Sequence, residues 1–126
     1  MRDDSTLLTL RPEIPGIVSE DSTPAEQFQN KTLRPILKYQ HDLLVHLFSD
    51  MPHMNTLRAQ SKTQEEFKSA FIHSLKQQHD IKNQIIGIVL GHFTSSEFQL
   101  YTEMKSEVNK RIIQMSGERI AGAIWK

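Results

Sequence analysis

The chain has 126 residues, a length that suits one domain with a single buried core. Fifteen basic and fifteen acidic side chains balance, so no net field attracts the protein to nucleic acid or to an anionic membrane surface. There is no cysteine, which excludes disulfides, thiolate metal sites and a cysteine nucleophile. We therefore expect a soluble, cytoplasmic protein with neither a nucleic-acid nor a membrane partner.

Residues 1–22 form an N-terminal arm, which precedes a helical domain predicted over 23–126. A long helix is not expected in the arm, because Pro12, Pro15 and Gly16 interrupt it. Two interpretations of the arm stay open. It is either a mobile terminus or a segment whose apolar residues lie in a groove of the bundle or of a neighbouring subunit. Those apolar residues are Leu7, Leu8, Leu10, Ile14, Ile17 and Val18.

The first helix of the domain is predicted over about 24–48. Thr23 can accept a hydrogen bond from a first-turn amide, and Pro24 at the first helical position loses no needed donor. Apolar residues then recur with the helical period up to the end of this range. Pro35 lies inside the helix and removes a backbone donor, so we expect a kink or a break near Arg34.

Two further helices are predicted over about 64–93 and 95–121, after a loop at 50–62 that has room for one helical turn. Thr63 and Thr94 each precede a glutamate by three residues, which is the capping-box pattern of a helix start. No segment alternates apolar and polar residues with the period of a half-buried strand. The sequence therefore predicts an all-α protein, specifically an antiparallel bundle of three helices, with an irregular N-terminal arm.

The most apolar stretch, Ile85–Phe93, falls at the end of the middle predicted helix. It is far shorter than the roughly 20 residues that cross a bilayer. It contains Gly87 and Gly91, one helical turn apart, and two glycines lower helix propensity by roughly 1–2 kcal/mol. We expect the close approach of another group to the glycine backbone to offset this loss. The favoured candidate is a helix of the same subunit, the next is a second subunit, and the least favoured is a ligand.

Polar residues interrupt the apolar faces of all three predicted helices near their middles. Gln40 lies on the first helix, Gln78 and Lys82 on the second, and Asn109 and Arg111 beside the apolar stripe of the third. In an antiparallel bundle these residues could form one polar layer. The layer either makes satisfied core hydrogen bonds with its cations reaching solvent, or it binds a small anion or fixes helix register. A buried Lys82 would need an acidic partner, and the acids nearest by position are Asp80, Glu103 and Glu107.

Metal and catalytic motifs are missing from the sequence. His41 and His46 are five residues apart and His73 and His79 are six apart, so neither pair shares a helix face. There is no Glu-x-x-His motif, no glycine-rich phosphate loop after a strand and no nucleophile elbow. We therefore expect no metal, no cofactor and no catalytic residue, and lean towards a protein that is not an enzyme.

Several segments of the chain resemble an uncharacterised family of small bacterial all-helical proteins. They are LLTLRP at 7–12, EQFQNKTLRPILK at 26–38, DIK at 80–82, Gly87, GHFT at 91–94 and NKR at 109–111. The resemblance covers most of the chain except 50–62 and the C-terminal end. The resemblance implies that seven polar residues matter for function, but it supplies no substrate. They are Gln29, Asn30, Arg34, Asp80, Lys82, Asn109 and Arg111.

Members of this family are often labelled glyoxalases. Such enzymes need paired βαβββ modules with strand-borne His and Glu metal ligands, and this sequence has neither, so we expect no glyoxalase activity.

These patterns give two hypotheses of function. The first is a non-enzymatic interaction protein that forms a homodimer, or binds a helical partner, through the face of Gly87 and Gly91. The alternative is a small-ligand-binding protein or an enzyme that uses the polar layer of Gln40, Gln78, Lys82, Asn109 and Arg111.

Overall fold

A computed structural model describes residues 2–14, 23–49 and 52–125, and all regular elements in these ranges are helical. The predicted all-α class is confirmed for this part of the chain. The helices are α1 (Asp4–Thr9), α2 (Pro24–Phe28), a π-helical turn (Gln29–Leu33), α3 (Arg34–Tyr39), α4 (His41–Ser49), α5 (Pro52–Gln60), α6 (Gln64–Gln77), α7 (His79–Leu90), α8 (Ser95–Glu103) and α9 (Lys105–Ile124). None of the described helices is both long enough and apolar enough to cross a membrane.

Three helix starts are those that the sequence predicts. The hydroxyls of Thr23, Thr63 and Thr94 accept hydrogen bonds from the amide three residues later, at 3.2, 3.1 and 3.3 Å. At Thr94 the box is reciprocal, because the Glu97 carboxylate also accepts from the Thr94 amide at 2.9 Å. These caps satisfy amides that have no partner inside the helix, and they fix where α2, α6 and α8 begin.

The predicted disturbance at Pro35 is present as the π-helical turn at Gln29–Leu33. The amide of Arg34 donates to the carbonyl of Gln29, five residues earlier, just before the proline. A wider turn accommodates the missing proline donor without ending the helix. The helical path therefore continues from α2 through the π turn into α3.

The prediction of three long helices is not confirmed. Each predicted helix is divided where the backbone leaves helical geometry: at Gln40 (φ −95°, ψ 12°), Gln78 (φ −104°, ψ 92°) and Met104 (φ −128°, ψ 27°). The loop predicted at 50–62 instead contains α5, because Met54 is buried in the core and anchors a helix there.

Most of the other helices pack against α9. It has 20 residues and packs against α4, α6 and α7. Gly117 of α9 lies closest to a neighbour: a Cβ there would fall 2.7 Å from Cγ1 of Ile72. The absence of a side chain at Gly117 therefore lets α6 and α9 pack closely.

Aromatic contacts close the end of the core. The Phe71 ring lies 5.3 Å from that of Phe48 and 6.0 Å from that of Phe67, and Trp125 lies 5.6 Å from Phe67. Because Trp125 packs there and Ile124 is buried, α9 runs to Ile124 and extends past the predicted end at residue 121.

The described part of the N-terminal arm, residues 2–14, docks at the junction of α7 and α8. Arg2 donates to the carbonyl of Gly91 at 2.7 Å, and Asp4 accepts from the amide of Ser95 at 3.2 Å. The predictions for Pro15, Gly16, Ile17 and Val18 fall outside the described residues.

Candidate functional site

A groove of about 760 Å³ opens between α7 and α9, with the end of α6 at one side. Ile86 and the buried Ile113 supply its apolar lining. Among the described residues, four cationic side chains and a single carboxylate, that of Glu107, also line it. The cations are Lys76, Lys82, Lys110 and Arg111, and the remaining lining residues are His79, Asn83, Asn109 and Gln114. The groove is basic although the chain is neutral overall.

The spacing of the lining residues explains why they meet. On α7 they are residues 79, 82, 83 and 86, and on α9 they include 107, 110, 111 and 114. Both sets follow the i, i+3, i+4, i+7 pattern of one helix face. Packing of α7 against α9 turns these two faces towards the same groove.

Arg111 is held in place before any ligand arrives. Its Nη1 donates to Oε1 of Gln29 at 2.6 Å, and its Nε donates to Oε1 of Glu107 at 3.1 Å. The Glu107 pair is partly exposed, so it adds little stability, but it restricts the guanidinium rotamer. Because a guanidinium has five N–H donors, these contacts leave donors for a second anion.

Lys82 and Asn109 add unused donors to the groove. Lys82 is partly buried, and among the described residues no carboxylate lies within ion-pairing distance of its ammonium group. The amide oxygen of Asn109 accepts from the Tyr101 hydroxyl at 2.7 Å, so the NH₂ group of Asn109 is its donor end. The Asp80, Glu103 and Glu107 carboxylates, considered from the sequence as partners of Lys82, do not pair with it.

Three of the five residues of the predicted polar layer come together here: Lys82, Asn109 and Arg111. Gln40 lies elsewhere and its Nε2 donates to Nε2 of His92 at 2.8 Å. Gln78 donates to Oγ of Ser74 at 3.0 Å, beside the break between α6 and α7. The predicted layer across the bundle is therefore replaced by a groove at one side, because the helix breaks at Gln40 and Gln78 redirect those side chains.

Gly87 and Gly91 are both exposed. A Cβ at Gly87 would meet nothing within 4 Å, and one at Gly91 would meet only carbonyls of its own helix, at 3.4 and 3.5 Å. The interpretation that a helix of the same subunit approaches this pair is therefore wrong for the described residues. The close approach inside the subunit occurs at Gly117.

A second polar cluster, absent from the predicted site, fastens the arm. Both terminal nitrogens of Arg11 donate to the Glu97 carboxylate, at 2.7 and 2.6 Å, and Nη2 also donates to the His92 carbonyl at 2.8 Å. The Thr32 hydroxyl donates to the same carboxylate at 3.1 Å. We call Arg11, Thr32, His92 and Glu97 the arm cluster.

Burial, hydrogen bonds and nearby charges in the arm cluster shift the pKa values of Glu97 and His92. Burial acts to raise the pKa of Glu97, but hydrogen bonds from Arg11, Thr94 and Thr32 hold it below its usual range. Burial, followed by the charges of Arg11 and Arg2, lowers the pKa of His92. Protein donors surround the Glu97 carboxylate, so the arm cluster holds the arm in place and is not an open binding site.

The sequence pattern could have revealed the groove residues that were missed. Lys76, His79, Asn83, Lys110 and Gln114 share a face with the predicted residues or extend it. All five are polar and all but the partly buried Gln114 are exposed, which is also typical of an ordinary solvent-facing stripe. Within the described ranges no group of three or more His, Asp or Glu side chains could hold a metal ion.

Comparison with family models, with curated proteins and with solved structures finds no match for this chain.

Proposed function

We propose that this chain is a non-enzymatic binding protein that takes a small amphipathic anion in the groove between α7 and α9. The observation that carries the proposal is the excess of cations at the groove: of the lining residues that the structure describes, four are cationic and one is a carboxylate, which is already paired with Arg111. The partly buried Lys82 ammonium has no anion of its own among the described residues.

The chemistry of the lining specifies the ligand class. Lys82, Lys110 and the free donors of Arg111 would hold a phosphate, sulfonate or carboxylate group, and the Asn109 amide would donate to one of its oxygens. Ile86 and Ile113 offer apolar surface to the body of the ligand. The volume lies within the roughly 300–1,000 Å³ usual for small-molecule sites.

Binding is supported better than catalysis. The groove offers cations and amides that hold an anion, but its carboxylate is bound to Arg111 instead of standing beside a nucleophile. His79 is exposed, and no described side chain is hydrogen-bonded to its ring to orient it. Nucleophilic catalysis needs a base within hydrogen-bond reach of the nucleophile, and a second group that orients the base.

Fluorescence titration with 1-naphthyl phosphate, an aromatic anion, tests the proposal. Lys82→Met should weaken binding by about three- to tenfold, the effect of losing one partly screened charge contact. The matched control is Lys105→Met, which removes an exposed cation of α9 outside the groove. Neutral 1-naphthol should bind more weakly than the phosphate. Equal affinities of the wild type and the Lys82→Met variant would contradict the proposal.

A second candidate function is self-association through the face of Gly87 and Gly91. The observation that favours it is the open space at Gly87, because an exposed glycine inside α7 lowers helix propensity and no described neighbour lies within 4 Å of where its Cβ would be. A second copy of the chain, or a partner helix, would supply that neighbour. Sedimentation decides: a clean monomer at tens of micromolar concentration would contradict homodimerisation.

The family resemblance and the cytoplasmic location remain part of the proposal. The all-helical fold is compatible with the resembled bacterial family, and the cysteine-free composition is compatible with a reducing compartment.

A further inference from the structure

A second cationic site lies on another part of α9, at Arg119. This side chain is partly buried, and within the described chain no carboxylate lies in ion-pairing distance of its guanidinium. Its Nη1 lies 3.4 Å from Nδ1 of His41, a long contact that uses one donor. Burial, followed by the positive charge of Arg34, lowers the pKa of Arg119. The guanidinium thus lies in a setting that disfavours its charge and supplies no counter-ion.

A cavity of about 310 Å³ opens beside this guanidinium. Lys38 and Tyr39 of α3, His41 and Asp42 of α4, and Arg119 itself line it. The one carboxylate among the described lining residues, that of Asp42, is exposed and does not reach Arg119. Together with Arg34, whose charge acts on Arg119, the cations outnumber the acid at this place.

We propose that the cavity beside Arg119 binds a phosphate group as its dianion, either free phosphate or the phosphate of a monoester. The fork of N–H donors on a guanidinium matches two oxygens of such a group, and Arg119 uses only one donor on His41. The positive field from Lys38 and Arg34 favours a dianion over a monoanion. The cavity has the size of a small group and not of a long chain.

This site is independent of the groove between α7 and α9. The two cavities share no lining residue, and different arginines, Arg119 and Arg111, are the centre of each. Failure of one binding site therefore leaves the other unaffected.

NMR titration with inorganic phosphate tests the site, read at the Nε–H resonance of Arg119. The resonance should shift with saturation. Arg119→Gln lacks this resonance, so its binding is read at the backbone amides of residues 38–42, which include the other lining residues of the cavity. It should weaken phosphate binding about tenfold or more, because one charged donor pair is lost. Lys38→Gln, at an exposed position that should leave folding intact, should weaken binding about two- to fivefold by losing a screened charge. Lys105→Gln and Lys82→Met should leave the Arg119 shift unchanged.

Two further ligands separate the sources and the charge. If methyl phosphate shifts the Arg119 resonance as inorganic phosphate does, the cavity binds phosphate monoesters. If only inorganic phosphate shifts it, the cavity binds the free ion. Acetate should bind more weakly than either. An Arg119 resonance that does not move, a loss of affinity in Lys105→Gln as large as in Arg119→Gln, or equal binding of acetate and phosphate would overturn the proposal.

Discussion

Replacement of Glu97 by glutamine is the sharpest test of how the arm is held. The carboxylate makes a bidentate pair with Arg11, whose side chain is only 8% exposed, and it also accepts from Thr32 and the Thr94 amide. Glu97→Gln removes the negative charge and leaves the Arg11 guanidinium buried without a counter-ion.

The expected size of this effect follows from the burial of the pair. Removing one partner of a buried ion pair costs about 3–5 kcal/mol. The Glu97 side chain is 15% exposed and glutamine keeps one accepting oxygen, so we expect a smaller loss than this, about 2–3 kcal/mol of unfolding free energy. That is a large share of the roughly 5–15 kcal/mol that stabilises a small domain.

Urea denaturation followed by the fluorescence of Trp125, the single tryptophan, measures this loss, since its indole packs on Phe67 in the core. A double-mutant cycle with Arg11→Met adds the decisive control. If the pair acts as described, the double variant loses less stability than the two single variants summed. A Glu97→Gln variant as stable as the wild type, or strictly additive losses, would refute the structural role of the pair.

Three other predictions concern pH, packing and helix propensity. Folding lowers the pKa of His92 from its ordinary value of 6.5 and that of Glu97 from 4.5. Each group therefore contributes stability at pH values above its ordinary pKa, and this contribution is lost as the pH falls through the folded-state pKa. The urea midpoint should accordingly fall in two stages as the pH is lowered, and His92→Gln should remove the first stage. Gly117→Ala should destabilise by about 1–3 kcal/mol, because the added methyl meets Ile72, and unchanged thermal stability would contradict the described α6–α9 packing. Gly87→Ala should raise the free energy of unfolding of the monomer by about 0.5–1 kcal/mol, since it has open space, whereas a loss of stability together with loss of a dimer would favour association through this face.

Signals confined to a few neighbouring residues predicted the fold class and the helix starts. The threonine caps at 23, 63 and 94 could be predicted because the capping-box pattern spans only four residues of sequence. The disturbance before Pro35 followed from one missing backbone donor.

The breaks at Gln78 and Met104 could not be predicted, because no glycine or proline marks either position. In the 64–93 range, however, buried residues are missing between Leu75 and Ile85, and that gap coincides with the end of α6. Long-range packing decides such breaks more than local propensity.

The candidate site shows the same division between local and long-range information. The sequence placed Lys82, Asn109 and Arg111 near apolar stripes, but only the packing of α7 on α9 brings them to one groove. For the glycines, the sequence assigns Gly87 and Gly117 the same low helix propensity. Tertiary packing alone decides that Gly117 meets Ile72 and Gly87 meets nothing.

The most direct measurement of the proposed function is amide chemical-shift mapping with 1-naphthyl phosphate. The proposal predicts shifts along residues 79–86 of α7 and 107–114 of α9, with saturation, and their loss at high salt as the charges are screened. Shifts confined to other surfaces, or none at millimolar ligand, would contradict binding of an amphipathic anion in this groove.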